Sequence, residues 1–159
     1  MTIERTIRKF LREQKVKSLL KSSEIGATTD LVLFHIKRNN FSITLYDDLK
    51  IEFLKSSNHL RGAVGERYIS MIVNEQYHDY LLNIFREHVV SVQKKVACII
   101  LDCSKTKNVS GIITYITSIL AQKKINMYGF FTSQDDITLI IDENKAFEYV
   151  DELKKKLKA

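Results

Sequence analysis

The feature that most constrains this chain is an internal repeat: residues from 28 onward align without a gap on residues from 96 onward, at a shift of 68. Leu33 then meets Leu101, Lys37 meets Lys105, Asn40 meets Asn108 and Ser42 meets Ser110. Farther along, Ile51 meets Ile119, Lys55 meets Lys123, Asn58 meets Asn126, Ile69 meets Ile137, Ile72 meets Ile140 and Glu75 meets Glu143. These ten identities over 64 positions come with matches of chemical type, LVL (31–33) on IIL (99–101) and ISMIVNE (69–75) on ITLIIDE (137–143). One supersecondary unit has been made twice.

Each copy reads as strand, helix, strand, strand, helix. Residues 29–37 and 96–103 are short runs rich in β-branched side chains, hence strands. A polar loop follows, then a helix with Ser42 or Ser110 as candidate N-cap. In the second copy Ile112, Ile113, Ile116, Ile119 and Leu120 share one helical face. Leu45, Leu49, Phe53 and Leu54 do the same duty in the first. Hairpins are expected from 59–65 with 68–73 and from 127–132 with 137–141. Helices at 75–88 and 143–157 close the copies, the second with an apolar stripe of Phe147, Val150, Leu153 and Leu157.

That order is one strand short of the βαββαβ ferredoxin-like unit. The alternating run VVSVQKK at 89–95 supplies a last strand for the first copy. Nothing follows the last helix of the second copy, but the shift of 68 sets 23–28 opposite 91–96, so the N-terminal segment is available as its missing strand. Residues 3–20 read as a helix made amphipathic by Ile3, Ile7, Phe10 and Leu11, with Leu19 and Leu20 at its end. The expected fold is α+β: two tandem ferredoxin-like units, with antiparallel sheets, helices on one face and strands exchanged between units. The expected division is an N-terminal helix at 1–22, a first unit at 23–91 and a second at 92–159.

Composition narrows the function classes. With 159 residues, 45% of them apolar, there is room for two small cores. No apolar run approaches the roughly 18 residues of a membrane span, and MTIERTIRKFLREQK lacks the apolar stretch of a signal peptide. A soluble, cytoplasmic protein without membrane association is expected. Cys98 and Cys103 form neither a disulfide framework nor a CxxC pair and read as buried free thiols. The net charge of +6 is modest and lies partly in the terminal helices, where lysines such as Lys154 and Lys158 face the negative end of a helix dipole. No basic stripe interleaved with exposed aromatics is visible, so nucleic-acid binding ranks last. His35, His59, His78 and His88 lack metal-ligand spacing, and there is no P-loop, GxGxxG or GxSxG. Neither catalytic residues, a metal site nor a cofactor is expected.

The second copy resembles an ACT domain of the aspartokinase regulatory type. The resemblance rests on VACIILD, on Ser110-Gly111 opening a helix, on Ile125-Asn126 ending it, and on the strand-to-helix step ITLIIDE. The whole chain is also similar to archaeal proteins with tandem ACT-like repeats, described as regulators of amino-acid metabolism. The sequence departs from the usual pattern with Ser110 where Pro is common, Lys124 where Gly precedes the Ile-Asn step, and Ile43 at the first copy's helix-start glycine. The resemblance implies a non-catalytic, allosteric regulatory protein that senses a small molecule, with an amino acid as the expected effector. The site it implies lies at the loop after the first strand and the start of the second, that is Asp102, Asn108, Val109, Ser110, Gly111, Asn126 and Met127.

Physics supports that loop. Gly111 lets an anionic group approach helix N–H groups, Asp102 offers a carboxylate to an ammonium, and Asn126 and Met127 offer backbone groups. A homodimer and a partner enzyme or transcription regulator are the expected associations. The competing readings are a ligand-free dimerisation or protein-interaction module and, behind it, a nucleic-acid-binding regulator.

Overall fold

In the computed structural model residues 3–20, 24–56, 58–104 and 111–158 are described. Helix α1 (Ile3–Leu20) leads into β1 (Ile25–Lys37), α2 (Asn40–Ser56), β2 (Leu60–Val64) and β3 (Tyr68–Asn74). Helix α3 (His78–Phe85) is flanked by 3-10 turns at Glu75–Tyr77 and Arg86–His88. Then come β4 (Val89–Asp102), α4 (Ile112–Gln122), β5 (Met127–Thr132), β6 (Asp136–Asp142) and α5 (Glu143–Lys158). Among the described residues, no helix is long and apolar enough to cross a membrane.

The strands are hydrogen-bonded in the order β2-β3-β1-β4-β6-β5. The chain forms two compact units, one of Thr29–Val96 and one of Met1–Thr28 with Ala97–Ala159. The first holds β2, β3 and the 29–37 and 89–96 stretches of β1 and β4. The second holds β5, β6 and the 25–28 and 97–102 stretches of those same long strands. Each is a four-stranded ferredoxin-like set, and the sequence-based expectation of an α+β fold with strands exchanged between units is met. The units divide inside β1 and β4 rather than at 22/23 and 91/92, because the added strands run on without a break. Asp30 and Lys95, at φ 56° each, lie within two residues of those divisions. Left-handed residues inside extended strands bend them locally, as bulges do.

In the Thr29–Val96 unit, Val32, Phe34 and Ile36 of β1 pack with Ile69, Met71 and Val73 of β3 and with Tyr46, Leu49 and Phe53 of α2. Strand alternation and helical spacing thus converge on one core. Leu31 and Leu33 are equally buried, which is why LVLF reads as a continuous apolar run. Leu54, expected in the α2 face, is instead 83% exposed, and Tyr46 takes its place. Gly62 makes this possible: a Cβ there would lie 2.5 Å from the Tyr46 hydroxyl oxygen. The N-cap of α2 is not Ser42 but Asn39. The Asn39 side-chain carbonyl accepts the Ser42 N–H at 2.9 Å, and the Ser42 hydroxyl accepts the Asn39 N–H at 2.9 Å, a reciprocal capping arrangement.

In the other unit, Ile112, Ile116, Ile119 and Leu120 of α4 pack with Ala97, Ile99 and Leu101 of β4, Leu139 and Ile141 of β6, and Ala146, Tyr149, Leu153 and Leu157 of α5. Ile113 and Phe147, expected inside, face solvent. Tyr149 displaces Phe147 because its hydroxyl finds the Ile116 carbonyl at 3.1 Å, and burial holds that phenol well above its ordinary pKa. Of the apolar face expected for α1, Leu20 is buried, Ile3, Ile7, Phe10 and Leu11 are exposed, and the Leu19 side chain lies outside the described residues; Val16 is buried beside Leu20. Cys98 and Cys103 are buried and form no disulfide with each other.

Helix α4 ends in a Schellman motif. The Ile125 N–H donates to the Leu120 carbonyl at 2.9 Å and the Lys124 N–H to the Ala121 carbonyl at 3.2 Å, with Ile125 and Leu120 both buried. Lys124 holds the left-handed position, φ 53°, where a side chain costs about 1 kcal/mol or more relative to glycine. Its side chain is exposed, so nothing in the core depends on it. Lys124→Gly is expected to raise unfolding free energy by about 0.5–1 kcal/mol, measured by urea denaturation; an unchanged or lower midpoint would show that the motif is not formed.

Candidate functional site

The helix-start glycine of the second copy takes the conformation its position requires. Gly111 is the N-cap of α4 with φ 92° and ψ 2°, and no side chain caps the helix there. Its carbonyl accepts the Tyr115 N–H at 2.9 Å, closing the first turn. The first-turn N–H groups of α4 lie at the positive end of the helix dipole, a setting that suits an anion.

Opposite this helix start runs α1. Gly111, Thr114, Tyr115, Ser118 and Gln122 of α4 and Lys9, Arg12, Glu13 and Val16 of α1 line a cleft of about 370 Å³, all within the unit of Met1–Thr28 and Ala97–Ala159. The Arg12 stem passes over Gly111 so closely that a Cβ on that glycine would lie 3.3 Å from Arg12 Cδ. Neither Lys9 nor Arg12 forms an ion pair among the described residues, whereas Arg8, on another side of α1, is held by Glu4. The Tyr115 hydroxyl is enclosed and has no hydrogen-bond partner among the described residues. Burial raises its pKa, and the negative charge of Glu13 raises it further. A buried hydroxyl without a partner is uncommon and costs about 1–3 kcal/mol, which marks the wall of the cleft as a place where a polar group is unsatisfied.

The lining is of mixed charge. Two cations and a helix N-terminus suit a carboxylate, while Glu13 and the Tyr115 hydroxyl suit an ammonium or a neutral donor. A small zwitterion carries groups that suit both.

Of the site residues expected from sequence, Gly111 lines this cleft. Asp102 ends β4, where its N–H donates to the Glu24 carbonyl at 3.0 Å and its carboxylate accepts the Ser104 N–H at 2.8 Å, forming a local turn. Asn126 and Met127 open β5 and are exposed, and neither they nor Asp102 line the cleft. Asn108, Val109 and Ser110 lie outside the described residues. Lys9, Arg12, Glu13 and Tyr115 are the residues that sequence reasoning missed. Their only sequence signal is the spacing 9, 12, 13, 16, which puts three charged side chains beside the core-facing Val16.

Two substitutions separate site from scaffold. Gly111→Ala is expected to cost about 1–2 kcal/mol of stability, since it combines a left-handed φ with the Arg12 contact. Tyr115→Phe is expected to leave stability unchanged or raise it, since it deletes an unpaired buried hydroxyl. Calorimetric melting of both variants checks this, and a Tyr115→Phe loss beyond about 1 kcal/mol would mean that the hydroxyl is bonded in solution.

No protein-family model matches the sequence, and no curated protein matches it. Solved structures do. The aspartate kinase of Clostridium acetobutylicum matches at TM-score 0.67 and 10% identity over 84% of this chain and 34% of its own. The regulatory subunit of aspartate kinase from Thermus thermophilus, in ligand-free form, matches at 0.62 and 10% over 83% and 95%. Aspartokinase III of E. coli, in complex with lysine and aspartate, matches at 0.58 and 14% over 84% and 32%. The chain therefore spans about a third of the two whole kinases and nearly all of the isolated regulatory subunit. At these identities the likeness is one of fold: the chain shares its α+β fold with the T. thermophilus aspartate kinase regulatory subunit.

Proposed function

We propose that this protein is a non-catalytic regulator that senses a free amino acid in the cleft between α1 and α4 and acts on a partner protein. The observation that carries the reading is the mixed lining of that cleft, with Arg12 against Gly111 and Glu13 acting on the enclosed Tyr115 hydroxyl. The structural neighbours support it: the T. thermophilus protein is a regulatory subunit, and the E. coli enzyme was captured with lysine and aspartate.

In the proposed complex the α-carboxylate meets the Arg12 guanidinium and the first N–H groups of α4, and the ammonium meets Glu13 and Tyr115. The ligand thereby bridges two helices that otherwise meet mainly through Val16 and its neighbours. Tightening α1 onto α4 fixes the orientation of the exposed Ile3, Ile7, Phe10 and Leu11, the surface offered to a partner. A ligand shifts such an equilibrium only by its differential affinity for the two arrangements of α1.

The same exposed stripe favours a second reading, a dimerisation or protein-interaction module that works without effector. Melting curves across the twenty amino acids separate the two. The sensor reading expects one or a few to raise Tm saturably, by about 5 °C or more at 100 times Kd, where the ligand adds about 2.7 kcal/mol. Arg12→Ala is expected to weaken that binding roughly tenfold to a hundredfold with little change in the unliganded Tm. A flat response to all twenty, together with a stable oligomer lost on Ile7→Ser and Phe10→Ser, would replace the sensor reading with the second.

A further inference from the structure

The Thr29–Val96 unit has a larger basin of its own. It measures about 550 Å³ and lies where the first turn of α2 faces the end of α3 and the turn into β4. Its lining is apolar at Phe41, Leu45 and Ile84 and polar at Arg86, Glu87 and His88. The α1–α4 cleft contributes no residue to it.

Two observations set this basin apart from an ordinary surface hollow. First, Arg86 sits at φ 43°, ψ −121°, a region that glycine fills readily and residues with a Cβ avoid. Strain of this kind persists where the surroundings enforce it, and it gathers at ligand sites. The Arg86 Nε donates to the Asn83 carbonyl at 3.1 Å, which orients the guanidinium while leaving its terminal nitrogens without an ion-pair partner among the described residues. Second, the tautomer of His88 is fixed by the α2 cap. The Asn39 carbonyl oxygen is taken by the Ser42 N–H, so the Asn39 amide nitrogen faces His88 Nδ1 at 3.1 Å. That nitrogen only donates, so Nδ1 accepts and the ring proton resides on Nε2. The imidazole, tilted on Phe41 with ring centroids 5.2 Å apart, is left with one N–H to donate.

We infer that this basin binds a small monocarboxylate carrying an apolar side group. The carboxylate pairs with the Arg86 guanidinium and takes the His88 Nε2–H, and the side group lies on Phe41, Leu45 and Ile84. Glu87 in the lining disfavours a second carboxylate and accepts an amine where the ligand has one. The inference stands apart from the proposed sensing role of the α1–α4 cleft, because it uses the other unit and other residues.

The test is an amide-resolved NMR titration of the full chain with 4-methylpentanoate and 3-phenylpropanoate, and with L-leucine and L-phenylalanine to ask what the amine adds. Saturable shifts confined to residues 39–45 and 83–88 are expected. Arg86→Gly should raise Tm by several degrees, roughly 4 °C or more, as the backbone relaxes, while weakening carboxylate binding at least about tenfold. Arg86→Lys, which keeps the charge, should bind within a few-fold of the native chain, and Arg12→Ala should bind as the native chain does. The inference is overturned if the probes give no saturable shift up to about 10 mM, if the shifts fall only on the α1–α4 cleft, or if Arg86→Gly binds undiminished.

Discussion

The structure depends on closing a sheet edge with residues from the wrong end of the chain. In the unit that holds 97–102, the strand beside β4 comes from upstream of the second copy. Residues 25–28 of β1 fill that place, and the bond from the Asp102 N–H to the Glu24 carbonyl at 3.0 Å marks where the pairing ends. Without it the 97–102 stretch of β4 would present a row of unpaired backbone groups, the exposed edge that folded proteins avoid. Once β1 enters this unit it carries α1 with it. Val16 and Leu20 then join the core, and the middle of α1, from Lys9 to Val16, lines the cleft beside α4. Sheet completion and candidate site are consequences of one pairing.

The two copies have diverged around a retained frame. At the shift of 68, β3 and β6 coincide end for end, and the alternating strand faces bury the same positions, Ile69 with Ile137 and Met71 with Leu139. The helix starts have diverged. In the first copy Asn39 and Ser42 cap α2 reciprocally, which fills the helix N-terminus with side-chain oxygen. In the second copy a left-handed glycine leaves that end without a side-chain cap. Self-capping stabilises a helix but occupies the groups an anion needs, so the two copies have taken opposite sides of that choice.

Much of the fold was legible because its signals are local or periodic. The repeat, the β-branched strands, both hairpins and the supply of missing strands all follow from order along the chain. Helix faces were less legible. Counting apolar residues favoured Phe147 and Leu54 over Tyr149 and Tyr46, because the count ignores where a phenol can reach an acceptor or where a glycine admits a ring. The face of α1 was read correctly only at Leu20: the larger apolar stripe, Ile3 to Leu11, is exposed, and among the described side chains Val16 joins Leu20 in the packing. The candidate site was legible only at Gly111. Its partners Arg12 and Glu13 stand far away along the chain, and nothing in their spacing says which helix they will face. The strained Arg86 was not legible at all, since a left-handed arginine leaves no mark in sequence.

Native-state hydrogen exchange at the Asp102 amide tests the central pairing most directly. If residues 24–28 complete the sheet of the unit that holds 97–159, this amide exchanges only as the unit itself unfolds, with the same opening free energy as the buried strand interior at Leu139. Exchange of Asp102 at the rate of an unprotected amide, while Leu139 remains protected, would contradict the account.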